Sequence, residues 1–293
     1  MRRGRYYIGR VIKLGMLDQE KLMNAIAKAP TITIGKHAWT ITDVEDSRNS
    51  NMPYLFGNLS KFAFEGHVTV IDTATRSKVE ALAPNLLVAS SPFVYLPNFS
   101  GIAYMHAWNG IQEELFPRRF KNIIEAAYGN FFVDCSIEPV SDYKAFSSKL
   151  QELDKFTEIS AKVYPPNPLF GRLWGSLNDY IKERNASEVS IKESSEEGQG
   201  LKTKIVSLIV NILKDEKFEP ETPLAITDAA ILMAADGYGK GFVAGEHDGA
   251  QVVIRTSETQ KSFLFNKAPV PEQLADEAEK HFRRISKERD MRH

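Results

Sequence analysis

The best-patterned stretch of the chain, residues 131–192, reads FFVDCSIEPVSDYKAFSSKLQELDKFTEISAKVYPPNPLFGRLWGSLNDYIKERNASEVSIK. Apolar residues alternate with polar ones in residues 133–137, 159–163 and 189–191, which is typical of strands, and helical patterns separate the three segments. Because each strand has one apolar and one polar face, helices are expected to cover only one side of the sheet. The stretch predicts an open-faced βα sandwich of ferredoxin-like style.

Two of these strands share the pattern Glu-x-Ser-x-Lys, at residues 158–162 and 188–192. The lysines are placed to neutralise the glutamates, so we expect cross-strand ion pairs on a solvated sheet face. Asp134 and Glu138 share the polar face of the first strand. They stand four residues apart, about 13 Å at about 3.3 Å per residue, which is too far for both to ligate one metal ion directly.

The first third of the chain is rich in strand patterns. Residues 5–14 read as a strand, and residues 55–64, 67–73, 86–96 and 101–108 read as a meander. Short strands with tight connections predict an antiparallel sheet, strongly curved or barrel-like. The fold class is therefore α+β. We expect a β-rich module over residues 1–108 and an α+β module over residues 109–293, or one continuous domain containing both.

Composition excludes several classes of protein. The chain of 293 residues is 43% hydrophobic and 26% charged, so it can bury a core, and its formal net charge of −1 gives no general attraction to nucleic acid or anionic lipid. The single cysteine, Cys135, cannot form an internal disulfide, and no Cys/His cluster indicates zinc. With no signal peptide or long apolar run, a soluble cytoplasmic protein without membrane contact, cofactor or metal is expected.

Basic residues gather at both ends of the chain, and Arg2, Arg3, Arg5, Arg283 and Arg284 are the candidates for binding nucleic acid. A solvated strand end and a solvated terminal helix explain the same residues without any ligand.

A glycine-rich run, DGYGKG at residues 236–241, is the most suggestive local motif. Its glycines do not follow the spacing of a phosphate-binding loop or a dinucleotide-binding turn, so a turn leading into a hairpin is expected. Asp236 nevertheless stands near His247 and Asp248 in the sequence. These three residues are the candidates for a catalytic site, such as that of a metal-dependent nuclease or toxin.

A proline-rich elbow, PPNP at residues 165–168, precedes Phe170 and Trp174. A rigid turn followed by large aromatic side chains suits either packing between modules or a contact with a partner. Phe170 and Trp174 are therefore the candidates for binding a partner.

Four segments carry a resemblance to a known group of proteins: SPFVYLP at residues 91–97, GIAY at 101–104, the PPNP elbow, and ADGYG at 235–239. Together they resemble an uncharacterised bacterial family whose members lie near mobile elements or phage-defence genes. The resemblance implies a component of a defence system and brings no site residues with it.

The leading hypothesis is a non-catalytic subunit of a bacterial, antiviral complex that binds a protein partner or its own copies, and also nucleic acid through its basic ends. One alternative is a metal-dependent nuclease or toxin with its site near Asp236 and His247. The other is a stand-alone nucleic-acid-binding protein.

Overall fold

The fold was analysed in a computed structural model. The structure describes residues 2–108, 110–112, 114–165, 170–196, 198–215 and 218–292, although the side chains of Phe170, Arg172 and Arg292 lie outside the description. Within these residues, no helix is both long and apolar enough to cross a membrane.

The helices of the described chain are Gln19–Ala27 (α1), Leu115–Ala126 (α2), Tyr143–Gln151 (α3), Gly175–Glu183 (α4), Ile205–Lys214 (α5), Ile226–Met233 (α6) and Pro271–Glu288 (α7). Its strands are Arg3–Gly15 (β1), Ile32–Ile34 (β2), His37–Asp46 (β3), Leu55–Asp72 (β4), Ser77–Leu96 (β5), Gly101–Met105 (β6), Val133–Pro139 (β7), Lys155–Val163 (β8), Phe170–Gly171 (β9), Val189–Ser194 (β10), Gly239–His247 (β11), Ala250–Arg255 (β12), Ser262–Asn266 (β13) and Met291–Arg292 (β14).

The larger sheet is antiparallel, in the order β13-β1-β6-β5-β4-β3-β2, with β7 also paired to β1. β1 is the strand with which β6, β7 and β13 all pair. Its side chains alternate between two cores: Tyr6, Ile8 and Ile12 join one, and Val11 joins the other, which α1 and α2 cover. Because β1 is buried on both faces, it packs into both hydrophobic cores and joins them.

The smaller sheet is antiparallel with the order β10-β8-β11-β12. Ile159, Ala161 and Val163 of β8 are buried beside α6, while the polar positions of β8 and β10 face outward. The α+β class, the curved first sheet and the helix-covered second sheet are confirmed.

The sequence predicts that the three strands in residues 131–192 lie in one sheet, and this prediction is wrong for the first strand, β7. β7 pairs with β1 of the larger sheet, whereas β8 and β10 pair with each other in the smaller one. The alternation that identifies a strand does not identify its neighbour. Because β7 and β13 both pair with β1, the chain returns to the larger sheet twice after residue 108.

Candidate functional site

The most unusual feature of the surface is a long β-hairpin built by β4 and β5. The two strands pair from Leu55 and Tyr95 to Asp72 and Ser77, with one register shift between Lys61 and Phe62. β3 pairs with β4 only as far as Phe62, and β6 pairs with β5 only from Phe93. Residues 63–88, which we call the arm, are therefore a two-stranded ribbon whose two edges pair with no other strand of the described chain. Ten residues of β4 at about 3.3 Å each make it about 33 Å long.

The arm exposes many apolar side chains. Ile71 is 70% exposed and Leu82 is 66% exposed, and the full set of large exposed apolar residues on the arm is Phe64, Val70, Ile71, Val79, Leu82, Leu87 and Val88. Val70 stands directly opposite Val79, so these two share one face of the ribbon. An isolated two-stranded hairpin is marginally stable in water, and a soluble monomer rarely exposes a large apolar patch. The exposed apolar surface of the arm is therefore typical of an element that packs against another protein surface.

The predicted turn at Glu65 and Gly66 is wrong, because β4 runs through both residues and the tip lies at residues 73–76. Gly66 has a different explanation. A Cβ atom there would lie 2.3 Å from the Cβ of Leu86 on the neighbouring strand. The glycine permits this close approach within the strand rather than a change of direction.

A groove lies beside the base of the arm. Its volume is about 680 Å³, and it is lined by Thr31, Thr33, Thr40, Thr42, Ser60, Phe62, Phe64, Asn85 and Leu87. The rings of Phe62 and Phe64 meet edge to face at 5.5 Å, which gives the groove an apolar end. The threonines of β2 and β3 give it a polar wall.

Asp236 lies in the interior at the end of α6, where a π-helical turn over Ala234–Tyr238 leads into β11. Its carboxylate accepts hydrogen bonds from Tyr143 Oη at 2.8 Å, Trp174 Nε1 at 2.8 Å and Arg289 Nη1 at 2.7 Å. Burial alone would lower the pKa of Arg289, but the charges of Asp236, Tyr143 and Glu288 raise it. The guanidinium also lies 3.8 Å from the centre of the Tyr143 ring. Asp236 is thus a satisfied structural carboxylate.

A second arginine reinforces the same turn. The Arg10 side chain is fully buried and donates from Nε to the Asp236 carbonyl at 2.9 Å and from Nη1 to the Phe99 carbonyl at 2.6 Å. Gly237 has a φ of 86°, so the glycine predicted for a turn supplies a left-handed conformation. Arg10 and Arg289 are basic residues near the two chain ends, yet both belong to the core.

His247 and Asp248 lie at the tip of the β11–β12 hairpin, where Asp248 and Gly249 form an Asp-Gly pair typical of tight hairpin turns. Asp154 joins them, and single ligand atoms of the three residues lie within 4.8 Å of one another. Asp248 is 91% exposed, and its backbone N–H donates to Asp154 Oδ2 at 2.9 Å. Carboxylates and an imidazole at this spacing are chemically able to hold a cation, but a solvated turn explains the same contacts.

The structure does not bring Asp236 together with His247 and Asp248. β11 separates them, and its eight residue steps span about 26 Å at about 3.3 Å each. One residue of the predicted catalytic set is therefore in the core and the other two are at a hairpin tip.

The proposed nucleic-acid-binding arginines all lie on the surface: Arg2, Arg3, Arg5, Arg283 and Arg284. Arg5 Nη1 donates to Ser262 Oγ at 3.0 Å, and Arg283 forms an ion pair with Glu279 at 2.8 Å. Of the two residues predicted to bind a partner, Trp174 is buried, with its indole N–H on Asp236. The side chain of Phe170 lies outside the described part of the structure.

The outer face of the smaller sheet carries the expected ion pairs. Lys162 Nζ lies 2.6 Å from Glu188, and Lys192 Nζ lies 2.9 Å from Glu158. Glu138 differs from these glutamates: it is fully buried, and neither carboxylate oxygen has a hydrogen-bond partner among the described residues. Burial raises the pKa of Glu138, while the charge of Lys240, the nearby Ser136 hydroxyl and the charge of Lys162 oppose the rise; the Ser136 hydroxyl does not reach hydrogen-bond geometry with the carboxylate.

The sequence profile of a family described as a domain of unknown function, DUF4747, matches residues 20–280. The chain belongs to the DUF4747 family. No curated protein matches this DUF4747 chain. The family match covers most of the chain and carries no functional description.

Two features of this DUF4747 domain were missed by sequence reasoning. The arm carries a signal that was available, since VTV at residues 68–70 and KVEAL at 78–82 alternate apolar and polar residues on both sides of a TATR tip. No sequence signal shows that Glu138 is buried without a hydrogen bond from the described part of the chain, because its burial depends on elements that are distant in the sequence.

Proposed function

We propose that this DUF4747 protein is a non-catalytic assembly subunit that forms a symmetric dimer by exchanging its β4–β5 arms. The observation that carries the proposal is the arm itself, a ribbon with unpaired edges and exposed apolar side chains on residues 63–88. Each arm is proposed to pack along the arm of the second copy, with its tip reaching the groove at that arm's base.

The charges of the arm favour a protein surface over a nucleic acid or a membrane. Three acidic residues, Glu65, Asp72 and Glu80, stand against two basic ones, Arg76 and Lys78, which leaves a net charge of −1 (2 − 3). Nucleic-acid and anionic-lipid binding both need a clear excess of basic residues. A mixed surface of both signs is able to face a copy of itself without net repulsion.

The area of the arm favours a reciprocal contact. Two strands spaced about 4.8 Å apart give the ribbon a width of about 10 Å, so one face covers about 330 Å². A stable interface buries about 800 Å² per partner. One face is too small, whereas both faces of an exchanged arm together cover about 660 Å², and contact of the tip with the groove at the base of the second arm adds further area. When two identical copies exchange arms, each copy supplies one arm and one groove, and the resulting dimer has two-fold symmetry.

Binding is proposed in preference to catalysis because the strongest candidate for a catalytic residue is already occupied. Asp236 holds three hydrogen-bond donors in the core and is distant from His247. The antiviral setting belongs to the same proposal. It is supported only by the sequence resemblance, and a phage-plating assay on cells carrying the intact or the arm-deleted gene tests it.

The test is the mass of the protein in solution. Size-exclusion chromatography with light scattering is expected to give twice the mass of one chain for the native protein. Val70→Glu combined with Val79→Glu is expected to give a folded monomer, since it places two charges on one face of the arm. The matched control is Val253→Glu, which adds a charge to an exposed valine on β12 and is expected to remain a dimer.

A native protein that is monomeric at micromolar concentration would overturn the proposal, as would a double variant that stays dimeric. A native monomer that purifies with a different protein on its arm would also overturn it, because the arm would then serve a heterologous partner.

A further inference from the structure

A cleft separate from the arm lies where β7 of the larger sheet faces β8 and β11 of the smaller one. Its volume is about 680 Å³, within the range of small-molecule sites. The residues that concern binding here are Glu138, Lys162, Lys240, Phe242 and Arg255. The lining also includes Tyr104, Glu114 and Glu258, so the cleft combines one buried and two exposed carboxylates with three cations and two aromatic rings.

Glu138 is the feature that points to a ligand. Its nearest cation is Lys240, whose Nζ lies 3.8 Å from Oε1, a separation too long for a hydrogen bond. The Lys240 side chain is 75% exposed, whereas Glu138 is fully buried among the residues that line the cleft. A buried polar group without a hydrogen bond costs free energy, and a charged group costs more. A ligand that donates to Glu138 removes that cost.

The two free oxygen atoms define the chemistry of the donor. A carboxylate accepts two parallel N–H bonds from a planar group with adjacent donors, the geometry of a guanidinium or of the Watson–Crick edge of guanine. Phe242 offers a ring on which a planar base stacks. Since Lys162 pairs with Glu188 and Arg255 with Glu258, Lys240 is the cation placed to meet an anion.

We propose that the cleft binds a guanine nucleotide, with Glu138 accepting the two N–H donors of the base edge, Phe242 stacking on the base and Lys240 contacting phosphate. L-Arginine presents the same pair of donors and a smaller anion, so it serves as the competing source of this chemistry. Adenine lacks the donor pair and serves as the negative control. The proposal does not depend on the arm or on the oligomeric state.

The experiment is isothermal titration of the full chain with GMP, AMP and L-arginine. GMP is expected to bind at least about tenfold more tightly than AMP, which is the discrimination typical of one bidentate pair. Glu138→Gln is expected to lose at least about tenfold in GMP affinity because an amide offers one acceptor and opposes the second N–H with its own donor. Lys240→Met is expected to weaken GMP binding while leaving the preference over AMP intact.

The same set of variants includes a control for loss of folding. Glu138→Gln removes a buried charge, so its melting temperature is expected to equal or exceed that of the native chain, and lost binding then reports the site. Glu114→Gln changes an exposed glutamate that also lines the cleft and is expected to bind GMP normally. Equal affinity for GMP and AMP, no GMP binding, or binding of L-arginine alone would each overturn the nucleotide assignment.

Discussion

At the scale of single residues, two buried carboxylates show how environment decides the role of a side chain. Asp236 receives three hydrogen bonds and an ion pair, whereas Glu138 receives no hydrogen bond among the described residues. The sequence places Asp236 in a glycine-rich run that suggests chemistry, and it places Glu138 on the polar side of a strand. Alternation identifies which residues share a face, but not what covers that face. The position of a carboxylate in the sequence therefore does not show whether it receives hydrogen bonds in the fold.

The substitution Asp236→Asn tests the structural role. The amide keeps the shape of the side chain but leaves the buried Arg289 guanidinium with only the more distant Glu288 as counter-charge, so the free energy of unfolding is expected to fall by about 3–5 kcal/mol. Urea denaturation followed by circular dichroism measures the change. Asp248→Asn, at a side chain that is 91% exposed, is the control and is expected to change stability by less than about 0.5 kcal/mol. Similar values for the two variants would contradict a structural role for Asp236.

At the scale of secondary-structure elements, the sequence is most informative where one local rule decides the outcome. α7 and the β11–β12 hairpin follow the predicted pattern, and the glutamate–lysine pairs of β8 and β10 form as expected. The length of the β4–β5 hairpin could not be predicted in this way. Gly66 and Pro84 interrupt the alternation of apolar and polar residues in the sequence, yet both residues take part in the pairing of the two strands. Both residues signal turns in most contexts, and only the register of the two strands shows otherwise.

Removing most of the arm is expected to leave the rest of the fold intact. The hydrogen bonds and ion pairs described for residues 65–84 all lie within the hairpin, for example Thr75 Oγ1 to Asp72 Oδ2. Replacing residues 65–84 with Asn-Gly, a tight hairpin turn, is expected to shift the melting temperature by no more than about 4 °C. Thermal unfolding followed by tryptophan fluorescence measures the shift at a submicromolar concentration, where the proposed dimer is dissociated. A loss of cooperative unfolding would show that the arm is part of the core.

At the scale of the whole molecule, β1 decides how the parts depend on one another. One of its edges carries β6, and the other carries β13 beside residues 3–7 and β7 beside residues 9–15. The sequence predicts β1 and its two-sided alternation correctly. The partners of β1 cannot be predicted in the same way, because strand pairing between residues 250 positions apart has no local signature.

Dividing the chain at residue 108 is therefore expected to yield fragments that do not fold alone. Residues 1–108 would leave one edge of β1 open and expose Tyr6 and Ile8, so this fragment is expected to be insoluble or to lack a cooperative unfolding transition. Coexpression with residues 109–293 is expected to restore a soluble complex, which affinity purification through a tag on one fragment detects. A stable, soluble fragment 1–108 would instead establish an independent β domain.

Pro84, in the β5 strand of the arm, limits what the exposed ribbon is able to do. Proline has no backbone N–H, so an incoming strand finds a gap on the β5 edge instead of a continuous row of donors. Such a gap opposes open-ended growth by strand addition, the route to fibres, and leaves the faces as the surface for association. A chain that displays an apolar ribbon thus carries its own protection against polymerisation.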